Sequence, residues 1–388
     1  MNCAYDTREL RHLQVLKEAA HWHRIKFITA EQWTAIRLAY PSKLYHPNLV
    51  IRILLFIATW IAISGVNGIF FLLVNEMPET LQGVLSILGG AGAMVLADKV
   101  LVQTNNQYRS GVVEAVIYCG VGYMVLGMGL ITDWNVHLLF MSALCALSYV
   151  AYRYLDLIAT TFAIFTAAGF LFYECYEMGG IFRQIIPFVI MISFSLVYFL
   201  AQRAKRLERW MLWEENLLIA QVLSLLLIYA SGNYLVVREC SVALLNMSLV
   251  DGQDIPFAFI FYTFTAVMPL VLLYRGVQLR SLMFLRLGVV TLVLSVLTFR
   301  YYFSIAPPEV ALTVGGAIVL GVTAWLYSYL QTIRNGFTRE KLLSRAVVGN
   351  HLAAFAVSQT MGGNVHNPDE SFKGGGGSFG GGGASGDF

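Results

Sequence analysis

The placement of positive charge constrains this chain more than any other feature. Ten apolar stretches, at about 50–74, 82–102, 111–131, 136–152, 155–173, 184–202, 211–231, 257–274, 282–299 and 309–331, are separated by polar joints. Of the 26 lysines and arginines, 23 lie before the first stretch, at every second joint, or in the tail; only Arg183, Arg238 and Arg300 fall on the other side. Basic residues are retained on the cytoplasmic face of a membrane, and one stretch more or fewer would scramble the alternation. The expected fold is therefore all-α: a polytopic integral membrane protein of about ten transmembrane helices, with both termini cytoplasmic. Composition agrees, since 57% of residues are hydrophobic and 13% charged, against roughly 25% charged in soluble domains. The stretches are long and show no alternation, which excludes barrel strands. The fourth and fifth join tightly through Tyr152, Arg153 and Tyr154, so the spacing leaves a re-entrant segment open there.

The ends differ from the middle. Residues 1–47 are polar and carry two helix-start signals. Asp6 and Glu9 have capping-box spacing ahead of Leu10, Leu13, Leu16 and Ala20. Thr29 and Gln32 do the same ahead of Trp33, Ile36, Arg37 and Tyr40, and Pro41 stops the helix. This predicts a cytoplasmic helical hairpin that docks on the bundle, on lipid or on a partner. After the membrane domain (48–331) come a modestly amphipathic segment (332–373) and a tail (374–388) with nine glycines in fifteen positions, a composition that predicts disorder. The first 47 residues have no apolar run of signal-peptide type, so the first membrane helix is expected to act as the insertion signal.

Ionisable residues inside spans are the natural candidates for function, because burying them is costly. Asp98, Glu114, Glu214 and Arg286 fall near the cytoplasmic ends of their spans, where they would form one polar cluster or separate interfacial ion pairs. Asp156 and Glu215 also sit at span ends. On the other side, Glu174 and Glu177, at i and i+3, would form an external mouth. Pro187 and Pro269 are helix-kink candidates, as transport sites use. Glycines at 89, 90, 92, 120, 122, 127, 129, 315, 316 and 321 suit close helix approach. The five cysteines are scattered and suggest neither disulfide framework nor zinc. His21 and His23 point to different helix faces. No catalytic motif, metal site, cofactor loop or nucleic-acid signature is read here.

The run Trp22-His-Arg-Ile-Lys-Phe-Ile-Thr-Ala-Glu-Gln32 before a ten-helix region, with Arg286-Leu-Gly to Phe299-Arg-Tyr-Tyr302, resembles bacterial membrane proteins of the domain of unknown function twenty-one fifty-seven family. Those proteins open on a similar hairpin, where Gly-Leu stands in place of Lys26-Phe27. Phe379-Gly-Gly-Gly-Gly-Ala-Ser-Gly386 is similar to the tails of TPM-domain envelope proteins, which implies a bacterial envelope setting, with the cell inner membrane as the expected location, without implying TPM activity. The function expected is a non-enzymatic envelope scaffold or homeostasis protein, in contact with the lipid bilayer and engaging a protein partner through the hairpin or the tail. The alternatives are a small-solute transporter and, behind it, a membrane-embedded lipid-modifying enzyme.

Overall fold

The computed structural model describes residues 3–243 and 254–303, with isolated positions between 313 and 328. The tenth apolar stretch, the segment 332–373, the glycine tail and most of the apolar patch at 242–250 lie outside the continuously described residues. Twelve α-helices are found among the described residues: α1 Thr7–Arg24, α2 Ala30–Ala39, α3 Leu49–Val74, α4 Glu79–Leu96, α5 Val112–Ile131, α6 Val136–Tyr154, α7 Leu157–Met178, α8 Ile181–Lys205, α9 Glu214–Gly232, α10 Tyr234–Ala243, α11 Ala258–Gln278 and α12 Leu282–Phe303. Nine helical stretches are long and apolar enough to cross a membrane; they match the first nine stretches read from the sequence. Each is at least 19 residues long, near the roughly 20 needed to span the hydrocarbon core. The tight joint at Tyr152–Tyr154 separates two full-length helices, with no re-entrant segment. Leu155 turns left-handed (φ 52°), and Asp156 caps α7 by accepting from the Ala159 N–H at 2.6 Å.

The hairpin residues 11–42 belong to a compact unit distinct from the bundle. The capping box forms as the sequence predicts: Thr29 Oγ1 accepts from Gln32 N at 3.2 Å, and Gln32 Oε1 accepts from Thr29 N at 2.9 Å. Val15, Ala19, Trp22, Ile28 and Ile36 are buried together. The two helices thus have a core of their own.

Within the bundle, successive helices pair as α4 with α5, α6 with α7, α8 with α9 and α11 with α12, the arrangement short joints impose. α9 is the hub and touches α7, α8, α10, α11 and α12. Around it Ile164, Phe194, Leu225, Ile228, Leu272 and Leu287 form the main core. α4 and α5 meet backbone to backbone. A Cβ at Gly90 would lie 2.6 Å from Gly120 O, and one at Gly127 would lie 2.5 Å from Gly83 O. Gly89, Gly92 and Gly122 face open space, so only part of the glycine pattern is a helix seam.

Two departures from regular helix were not legible in the sequence. Residues Ala97–Thr104 continue α4 as a π-helix, and the Thr104 hydroxyl donates to Lys99 O at 2.8 Å, holding the widened turn. Residues Glu208–Trp213 form a 3-10 helix before α9. The segment before α3 is pinned by a parallel bridge in which Tyr45 N donates to Asn106 O at 2.9 Å and Tyr108 N donates to Tyr45 O at 3.0 Å.

Candidate functional site

The ionisable residues gather at one end of the bundle, where α3, α5, α7 and α9 begin and α4, α6 and α8 finish. The candidates chosen from the sequence do not pair with one another; three of the four meet separate basic partners. Asp98, on the π-helix, accepts from Arg153 Nη2 at 2.6 Å and Nε at 3.1 Å, both on Oδ2. Its Oδ1 is buried without a hydrogen-bond partner. Glu114 is the most enclosed of the four, with a side chain 7% exposed. One of its oxygens accepts from Arg52 Nη2 at 2.7 Å and the other from Gly111 N at 2.7 Å. Only glycine fits at 111: its φ is +92°, and a Cβ there would lie 2.1 Å from Arg52 O. Glu214 meets Lys205 at 3.2 Å in the open, and Arg286 is exposed on α12.

The centre of this end is built from groups the sequence showed only in part. Asp156 Oδ1 accepts from Tyr118 OH at 2.8 Å besides its capping bond. Asn216, buried on α9, donates to Asp156 O at 2.9 Å and to Thr160 Oγ1 at 2.7 Å. Arg109 donates to Glu215 at 2.7 Å and to Leu155 O at 3.4 Å. Burial works against its charge, but Tyr108 and then Glu215 outweigh that, so its pKa lies above the ordinary arginine value. Tyr5 packs edge-on against Tyr108 with centroids 4.9 Å apart, and burial raises the pKa of both phenols. Arg52, Arg109, Glu114, Tyr118 and Asp156 line a cavity of about 340 Å³. Arg52, Tyr118 and Asn216 were missed as site residues; span-terminal position alone would have drawn attention to Arg52 and Asn216.

At the opposite end, Glu174 and Glu177 take different partners. Glu174 meets His137 Nδ1 at 2.6 Å, and Glu177 accepts from Tyr173 OH at 3.3 Å. Nearby, Tyr234 stacks on Tyr262 with centroids 3.9 Å apart, donates to Asp254 at 2.7 Å, and accepts from Arg238. Burial, then its bonds to Tyr262 and Asp254, raises the Tyr234 pKa. Pro187 lies inside α8 and lines a second cavity of about 190 Å³. Pro269 is buried inside α11. No group of three or more metal-ligating side chains occurs among the described residues.

The class this fold and site define is an all-α protein with, among the described residues, nine helices long and apolar enough to cross a membrane and, at one end, a set of partly buried ion pairs. Comparison with protein-family models, with curated proteins and with solved structures gives no match.

Proposed function

We propose that this chain is a non-enzymatic, multi-pass scaffold of a bacterial inner membrane, with both termini cytoplasmic and with the hairpin as its partner-binding module. The observation that carries this reading is the hairpin's own buried core. Because Trp22 and Ile36 are buried within the hairpin's own core, the residues left outside, Ile25 at 40% and Leu38 at 77% exposure, are available to something else. Basic Arg24, Lys26 and Arg37 flank them, which favours an acidic partner surface. The charge alternation supports the orientation.

The test is photo-crosslinking in the full chain in cells, with a crosslinking residue placed at Ile25 or Leu38. The expected result is a discrete protein adduct that is lost on Leu38→Asp; adducts to lipid alone overturn the reading. A second reading, passage of a small solute, draws on Pro187 and the cavity it shares with Arg183, Gln184 and Ser231. Solute flux into proteoliposomes that stops on Pro187→Ala would favour it over the scaffold.

A further inference from the structure

The cavity at the ion-paired end adjoins a second along α3, and the two together are called the cleft. Tyr118 also lines a second volume of about 510 Å³ between α3 and α5, walled by Trp60, Phe70, Tyr123 and Leu126 and open on one side. Together these lie in the size range of ligand sites, which is about 300–1,000 Å³. The cleft follows α3, whose apolar window has no buried residue and a hydropathy of 2.3. An occupant therefore arrives from the bilayer, with an apolar chain along Trp60 and a polar head at Arg52.

The chemistry of the head chamber is specific. α3, α5 and α7 all begin there, and helix N-termini favour anions. Among the bonds described, Arg52 uses one of its five donors, and Arg109 donates only through Nη2. Both Glu114 oxygens are taken, so spare donors outnumber spare acceptors and suit a phosphate. Asp156, only 7% exposed, presents the one free acceptor: its bonds all fall on Oδ1, leaving Oδ2 without a donor among the described residues. Two guanidiniums and two carboxylates line the chamber, so their formal charges cancel. We propose that the cleft binds a zwitterionic phospholipid with a primary ammonium, of the phosphatidylethanolamine type. Its phosphate meets Arg52 and Arg109, its ammonium donates to Asp156 Oδ2, and one acyl chain fills the Trp60–Leu126 chamber. This site is separate from the hairpin and does not depend on its partner.

The experiment is native mass spectrometry of the full chain in mild detergent, offered equal amounts of dioleoyl phosphatidylethanolamine, phosphatidylcholine and phosphatidylglycerol. The expected result is a preference of about tenfold for the ethanolamine lipid, the size of one charge-assisted hydrogen bond. Asp156→Asn keeps the α7 cap but replaces Oδ2 with a donor, and should level the ethanolamine and choline lipids. A Cβ at Gly122 meets nothing within 4 Å, so Gly122→Phe fills the chain chamber without disturbing backbone and should abolish retention at unchanged melting temperature. Gly92→Phe, on α4 with equally open surroundings, should change neither. Equal retention of the three lipids by the unmodified chain, or wild-type adducts on Gly122→Phe, overturns the proposal. So does displacement of the lipid by its deacylated head group at equal concentration, which would make the ligand soluble.

Discussion

The two ends of the bundle close the same kind of boundary with different chemistry. At one end charge is set against charge: Arg52 with Glu114, Arg153 with Asp98 and Arg109 with Glu215. At the other, aromatic rings carry the closure. Tyr234 stacks on Tyr262, Arg183 lies 4.3 Å above the Tyr176 ring, and Arg238 lies 4.8 Å above that of Tyr302. Ion pairs hold fixed geometries at a desolvation cost, whereas rings gain from burial itself and give less angular control. Each end holds a cavity, of about 340 Å³ at the ion-paired end and about 190 Å³ at the aromatic end.

The largest expected effect is at Glu114. Glu114→Ala leaves Arg52 without its carboxylate and Gly111 N without its cap, and should cost about 3 kcal/mol, read as a fall in unfolding midpoint in detergent. Glu114→Gln keeps one acceptor oxygen but sets its NH2 against the other donor, and should lose less than Glu114→Ala does. If both variants fall equally, charge rather than geometry closes this end. Tyr234→Phe at the aromatic end keeps the stack and removes one hydroxyl, so its expected cost is about 1 kcal/mol. A cost as large as that of Glu114→Ala would erase the contrast between the ends. Glu214→Ala sits at the charged end but in the open, where its pair with Lys205 should contribute within about 0.5 kcal/mol. A larger loss would show that position at this end, rather than burial, sets the strength of a pair.

The smallest effect is on thiol chemistry, which samples both ends. Burial raises the pKa of Cys3 at the charged end and of Cys240 at the aromatic end. A raised pKa means less thiolate at any given pH. Maleimide labelling of single-cysteine variants should therefore be slow at neutral pH and rise with pH, with a midpoint above that of an ordinary thiol. Labelling of either at the rate of a free thiol near neutrality would show that its end opens readily.

Much of this architecture is legible in the sequence because lipid leaves few choices. A run such as Leu49–Val74 has to be a helix in a bilayer, and Thr29 with Gln32 announces α2 locally. The partners are not legible. Nothing local to Glu114 points to Arg52 on another helix. The four acids and bases singled out share a depth, and depth alone cannot tell a neighbour from a residue across the bundle. Gly111 reads as the first residue of the third apolar stretch until its positive φ and the approach of Arg52 O are seen. The π-helix at Asp98 leaves no mark, because one widened turn barely shifts the pattern of apolar residues.

The ion pairs at the charged end also order events in time. Arg52 precedes Glu114 by 62 residues, Asp98 precedes Arg153 by 55, and Arg109 precedes Glu215 by 106. At roughly 5–20 residues per second of synthesis, each first partner waits seconds for its counterpart. During that interval Arg52 stands at the head of α3 with only water or lipid phosphate to hold it. In the proposed topology α3 is oriented while Arg52 is still unpaired, and the same charge becomes part of a closed structure once α5 has been made.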